Sequence, residues 1–211
     1  MTVPPPEDPT GKRARRVLLC ATGAYTCYTL PGLVLHLLRH FADDVRVVLS
    51  RAAATMVSTY AVEVAARNRV FVESTDHGEG IFVPHIELGR DVDLVLVYPA
   101  TVNILGKVAN GIADELIAAL ILATEAPVVF VPIANPAMND HPAVVRNVAQ
   151  LRQDGYIVLP PLVGPEVATR EGLFEMPGAF PLPTLLLQMR SLLGVAERRG
   201  VARRAPSSHE G

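Results

Sequence analysis

Two short runs of β-branched and apolar residues, Leu94-Val-Leu-Val97 and Val128-Val-Phe-Val131, constrain the fold more than any other part of the chain. Each is too short for a buried helix and closes near a proline, so both read as interior strands of a parallel sheet, covered on both faces and therefore apolar throughout. Each run opens onto a polar segment, Pro99-Ala-Thr-Val-Asn103 after the first and Pro136-Ala-Met-Asn139 after the second. These segments set small residues, a hydroxyl and amides at the carboxyl ends of strands, where open α/β sheets bind ligands.

The same reading extends along the chain. A strand is expected at Val17–Ala21, ending in Thr22-Gly23-Ala24 before a helix from about Leu30 to Arg39, and another at Val45–Leu49, ending in Ser50-Arg51 before a helix over Ala53–Arg67. Residues 70–72 form a short strand, and His85 opens one helical turn that leads into the Leu94 strand. Asn110-Gly111 interrupts the helical pattern ahead of a helix from Ala113 to Ala123. A helix over Pro142–Arg152 and a strand at Tyr156–Leu159 complete a fold of the α/β class: a Rossmann-like (flavodoxin-like) three-layer sandwich around a central parallel sheet of about six strands. Residues 1–14, Pro-rich and then basic, read as a disordered arm, and 199–211 as a disordered tail. Between them lies one domain, 15–198, closed by a helix from Thr184 to about Arg198. Residues 160–183 are rich in proline and glycine without periodicity, the mark of a functional loop or lid.

Bulk properties exclude several function classes. The 211 residues suit one domain with a sizeable core, and a net charge of −2 is too small to suggest nucleic acid or an acidic membrane as partner. No apolar run reaches the ~18 residues of a transmembrane helix, and the first residues lack an apolar stretch behind their charges, so no secretory signal is expected and a cytoplasmic location is. Cys20 and Cys27 suit reduced thiols rather than a disulfide framework, and with neither a CxxC nor an HxxxH spacing read in the chain no metal site is expected.

Individual residues carry chemical meaning with a structural alternative beside each. Gly23, between a strand and a helix, lets a backbone approach a phosphate at the helix's positive end, although any βα junction can need a glycine and this is neither GxGxxG nor a Walker loop. Ser50 suits a helix cap. His85 has an intrinsic pKa suited to proton movement near neutrality, yet a histidine at a loop-to-helix junction is more often structural. Asn103 can donate and accept at once, or cap the helix after it. The basic run Lys12–Arg16 reads as a solvated flank of the first strand.

Taken together, His85, Pro99-Ala-Thr-Val-Asn-Ile104, the helix start Lys107-Val-Ala-Asn-Gly-Ile-Ala-Asp114 and Pro136-Ala-Met-Asn139 resemble the flavin-containing cysteine decarboxylases over roughly residues 15 to 195. That family, which includes phosphopantothenoylcysteine decarboxylase and the enzymes that modify C-terminal cysteines of lantibiotic peptides, shares an active-site histidine, a PASANT motif and a PxMN motif. The resemblance implies a flavin, FMN or FAD, held by Gly23, Ala24, Thr26, Ser50, Pro99, Ala100 and Thr101. Where the family carries serine after the first glycine, this chain has Ala24, which shifts a hydroxyl contact to Thr26 or Thr29. Tyr25 and Tyr28 either pack on the ring or cover the loop. The PASANT segment departs at Thr101, Val102 and Ile104, and the loop after PxMN is shortened to Asp140-His141-Pro142.

By the same resemblance His85 and Asn103 are the catalytic candidates, and Asn103, Met138 and Asn139 the substrate-binding ones. Residues 160–183 correspond to the substrate flap, where phosphopantothenoylcysteine decarboxylases place a cysteine that reduces the enethiol product. No cysteine follows Cys27 here. The implied reaction is oxidative decarboxylation of the C-terminal cysteine of a ribosomally made precursor peptide, with phosphopantothenoylcysteine decarboxylation and flavin prenyl transfer as the alternatives. Relatives assemble as homo-oligomers, trimers or dodecamers, and the apolar stretch Ile112–Leu122 reads either as a self-association surface or as part of the monomer core.

Overall fold

The computed structural model describes residues 14–72, 75 and 81–160; the proposed arm, flap and tail, apart from Ala14 and Pro160, lie outside them, as does the expected C-terminal helix. Six parallel strands form one sheet in the order β3-β2-β1-β4-β5-β6, with β1 at Ala14–Ala21, β2 at Ala42–Leu49, β3 at Val70–Phe71, β4 at Leu94–Ala100, β5 at Val128–Pro132 and β6 at Ile157–Val158. Because the chain winds outward in both directions from β1 and β4, their carboxyl ends diverge into a crevice at the point where the strand order reverses.

Strand alternation supplies both faces of the core. Val17, Leu19 and Ala21 point to one side, where they pack with α1 (Leu30–His40) and α3 (Thr59–Ala66). Leu18 and Cys20 point to the other, against α5 (Val102–Ala109) and α6 (Leu116–Ala123). The short α2 (Arg51–Ala54), α4 (Pro84–Glu87) and α7 (Pro136–Asn139), and the longer α8 (Pro142–Gln153), complete the described helices. None of the described helices is long and apolar enough to cross a membrane.

Several boundaries differ from expectation for local reasons. β1 begins at Ala14, which therefore belongs to the sheet rather than to an arm, and Arg16 is tied down by Asp44 at 3.2 Å. The helix expected over Ala53–Arg67 is two helices. Thr55 donates its hydroxyl to Ala52 O at 2.8 Å, and Ser58 caps α3 by accepting from Ala61 N at 3.3 Å, so these side chains compete with a continuous helical ladder. The helix expected to start at Ala113 begins at Leu116, after Glu115 in extended conformation. Its Leu116, Ile117, Ala118, Leu120 and Ile121 are buried in the chain's own core, while Ile112 and Leu122 at the two ends of the apolar stretch are exposed.

Candidate functional site

The crevice is built where four strand ends converge. β1 delivers Thr22 and Gly23, β2 delivers Ser50, Arg51 and Ala52, β3 is followed by Val72, and β4 leads through Thr101 into α5. They wall a cavity of about 630 Å³, completed by Val102, Asn103 and Lys107 of α5, by Asp114, Glu115 and Leu116, and by Met138 of α7. That volume lies in the ~300–1,000 Å³ range of small-molecule sites.

The floor is held by β4, which does not stop at Val97. The strand runs on through Tyr98, Pro99 and Ala100, three residues past its expected end, with a cis Tyr98–Pro99 bond and a register irregularity between Val97 and Ala100. Pro99 and Ala100 are consequently buried strand residues and do not wall the cavity. Their carbonyls are structural: Pro99 O accepts from Thr22 N at 3.0 Å and from the Thr22 hydroxyl at 2.8 Å, and Ala100 O accepts from Ile133 N at 3.0 Å. Thr22 Oγ1 in turn accepts the backbone N–H of Thr101 at 2.9 Å and lies 3.0 Å from its hydroxyl. Thr22 is thus a site residue that sequence motifs did not single out, because its partners stand more than seventy positions away.

Among the other candidates, Gly23, Ser50, Thr101, Asn103 and Met138 share the cavity wall. Gly23 is required by close approach, since a Cβ there would lie 2.5 Å from the Cβ of Ala52. Ser50 caps α2, accepting from Ala53 N at 3.1 Å. Asn103 does not cap α5: Thr101 is the N-cap residue and Asn103 sits in the first turn, exposed. Ala24, the residue that precedes a 3-10 turn over Tyr25–Thr29, and Thr26 within that turn are not part of the wall, and the Thr26 side chain faces the hydroxyl of Tyr98 instead. Tyr25 and Tyr28 stack on one another with centroids 6.3 Å apart and stay outside the cavity. The Asn139 amide donates to Ala134 O at 3.0 Å, off the wall. His85, half-buried on α4, is also not part of the wall.

Charge on the wall comes from Arg51, from Asp114 and Glu115, and from Lys107, one helical turn after Asn103. Its Nζ meets Asp114 Oδ1 at 2.8 Å and Glu115 Oε1 at 2.9 Å, and these two acceptors, Asp114 first, raise its pKa. The clasp holds the segment between α5 and α6 against the cavity. Both cysteines lie elsewhere: Cys20 and Cys27 are fully buried, and burial raises both thiol pKa values. Away from the cavity, His36 and His40 do stand at i and i+4 on α1, with ring centroids 4.5 Å apart, a spacing that can chelate a metal. No group of three or more metal-ligating side chains occurs among the described residues.

Comparison with known proteins fits this arrangement. The Flavoprotein family model matches residues 6–179. Mersacidin decarboxylase of Bacillus sp. (strain HIL-Y85/54728) is 34% identical over 158 residues, covering 74% of this chain and 79% of that one. Phosphopantothenoylcysteine decarboxylase of Mus musculus is 36% identical over 174 residues, covering 82% and 85%. With the bifunctional coenzyme A biosynthesis protein CoaBC of Bacillus subtilis, 37% identical over 150 residues, the chain spans only 37% of the relative's length. The crystal structure of the FMN-dependent cysteine decarboxylase SpaF superposes with a TM-score of 0.64 at 33% identity, covering 69% of this chain and 83% of that one. By fold, by site and by these likenesses the chain belongs to the Flavoprotein family, among its flavin-dependent cysteine decarboxylases.

Proposed function

We propose that the protein uses FMN to decarboxylate, oxidatively, the C-terminal cysteine of a ribosomally made precursor peptide, releasing CO₂ and leaving an aminoenethiol. The observation that carries this reading is the cavity at the sheet's switch point, where hydroxyls of Thr22, Ser50 and Thr101 and the amide of Asn103 meet the start of α5. The lining fits the cofactor on its own chemistry. The first N–H groups of α5 have no partner within the helix, the N-cap side chain does not cap them, and a helix start favours an anionic group. Ser50 and Thr101 add hydroxyls and Arg51 a cation.

When bound, the flavin supplies the two-electron oxidation of the cysteine side chain that gives the electron pair of the departing carboxylate somewhere to rest. The chain's own residues do the rest. Asn103 binds and orients the substrate carboxylate, supported by Met138 on the same wall and by Asn139 from behind it. His85 holds or moves a proton at the substrate thiol. Because its imidazole is off the wall of this cavity, we place its action in a homo-oligomer, a trimer or dodecamer, in which one copy's α4 borders another copy's site. The exposed Phe82, Val83 and Ile86 around His85 supply an apolar surface for that contact. The reaction is placed in the cytoplasm, where thiol substrates stay reduced.

The thiol inventory supports the oxidised product over the saturated one. Reducing the enethiol needs a cysteine at the site, and the sequence holds only Cys20 and Cys27, both buried in the core. The test presents purified protein with a peptide ending in cysteine and, separately, with phosphopantothenoylcysteine. Loss of CO₂ together with two hydrogens from the peptide is expected by mass spectrometry. Loss of CO₂ alone from the phosphopantothenoyl compound, with the peptide untouched, would assign the protein to coenzyme A synthesis instead.

A further inference from the structure

Thr22 is 4% exposed and uses its hydroxyl on groups of β4 and the residue that follows it. Its oxygen accepts the Thr101 N–H at 2.9 Å. Its single proton faces two acceptors, Pro99 O at 2.8 Å and Thr101 Oγ1 at 3.0 Å. Thr101 is the N-cap residue of α5, a position where threonine ordinarily turns its oxygen onto a first-turn N–H. Ser50, Ser58 and Asn135 cap their helices in this way, but Thr101 makes no such bond.

We propose that Thr22 is a positioning residue of the cofactor site: by engaging both the N–H and the hydroxyl of Thr101, it turns that hydroxyl away from the cap. The first N–H groups of α5 then remain available to an acceptor in the cavity. The arrangement also orients protons. With Thr22 donating to Thr101 Oγ1, the Thr101 proton is available to a ligand oxygen, so one hydroxyl on β1 adds a donor to the wall formed by α5. Only a side chain that both donates and accepts at this position serves, which serine satisfies and valine does not. The inference rests on the flavin reading above and concerns affinity for the cofactor, so it is separable from any question of substrate.

The test is a titration of flavin-depleted full-length protein with FMN, followed by quenching of flavin fluorescence, beside thermal unfolding without flavin. Thr22→Ser is expected to bind FMN within about twofold of wild type, and Thr22→Val about tenfold more weakly, somewhat more than one net hydrogen bond. Thr101→Ala is expected to weaken binding on its own, and Thr22→Val added to it to change affinity by less than about twofold, because the two residues act as one unit. A Thr22→Val loss below about fivefold, a Thr22→Ser variant as weak as Thr22→Val, or independent multiplication of the two losses would overturn the proposal. If Thr22→Val does not fold, Thr22→Ala takes its place under the same criteria, and failure of both to fold would make Thr22 a general folding residue and likewise overturn it. Wild-type protein that takes up no FMN refutes the cofactor reading itself, before any variant is compared.

Discussion

Gly23 packs so closely on Ala52 that a Cβ added to the glycine would lie 2.5 Å from the Cβ of the alanine. The contact joins the loop after β1 to the start of α2 and sets two sides of the cavity against each other. Gly23→Ala should therefore overpack this junction, costing about 1–3 kcal/mol. Urea unfolding is the measurement, and Ala52→Gly in the same chain should restore much of the loss. Equal stability of wild type and Gly23→Ala would show that the loop yields freely.

Ser50 both caps α2 and lines the cavity, and two substitutions separate these roles. Ser50→Ala should lose about 1 kcal/mol of stability with the cap and also bind FMN less tightly. Ser50→Asp keeps a capping acceptor, so stability should hold while a new negative charge weakens FMN binding further. Tight FMN binding by the aspartate variant would remove Ser50 from the cofactor site.

Burial drives the Cys20 thiol far above its ordinary range, and Cys27 shifts the same way with desolvation as the largest cause. For a pKa raised on folding, the contribution to stability is fully present below the unfolded value, about 8.5, and is lost as the pH climbs toward the folded one. Between those two values each thiol kept neutral costs about 1.4 kcal/mol per pH unit. The urea midpoint should fall between about pH 8.5 and about pH 10, and Cys20→Ala, though less stable near neutrality, should show a shallower fall. Identical slopes would contradict the assignment.

His85→Ala and Asn103→Ala should each retain FMN, since neither is a proposed cofactor ligand, and should each slow CO₂ release by about a hundredfold or more. Mixing the two inactive variants offers a sharper check on the oligomer. If one copy supplies the histidine and another the asparagine, mixed assemblies contain some complete sites and recover part of the activity. Unchanged turnover in both single variants would refute their assignment to the reaction.

Much of the architecture was legible because its signals are local. The β-branched runs at Leu94 and Val128, bounded by turn residues, marked interior strands, and both are buried members of one parallel sheet. The site was legible in part. Gly23, Ser50, Thr101, Asn103 and Met138 share one wall, as strand ends of such a sheet must. Pro99 and Ala100 are buried beneath it because the strand runs on through the cis proline, a continuation that composition around Pro99 argues against. His85 matched a motif, but a motif does not say which surface of which copy an imidazole will face.

Periodicity and strand-end chemistry determined the α/β class and the strand-end loops that border the cavity, since these depend on residues within a few positions of one another, and the resemblance of the quoted motifs pointed to the family. Tertiary structure alone decided that Thr22 meets Thr101, that Gly23 must yield its Cβ to Ala52, and that Lys107 is clasped by Asp114 and Glu115 beside Asn103. The physical reason is that strand order and register bring loops from distant parts of the chain to one sheet edge. The hydrogen bonds and steric limits they then share depend on that assembled geometry rather than on any one segment.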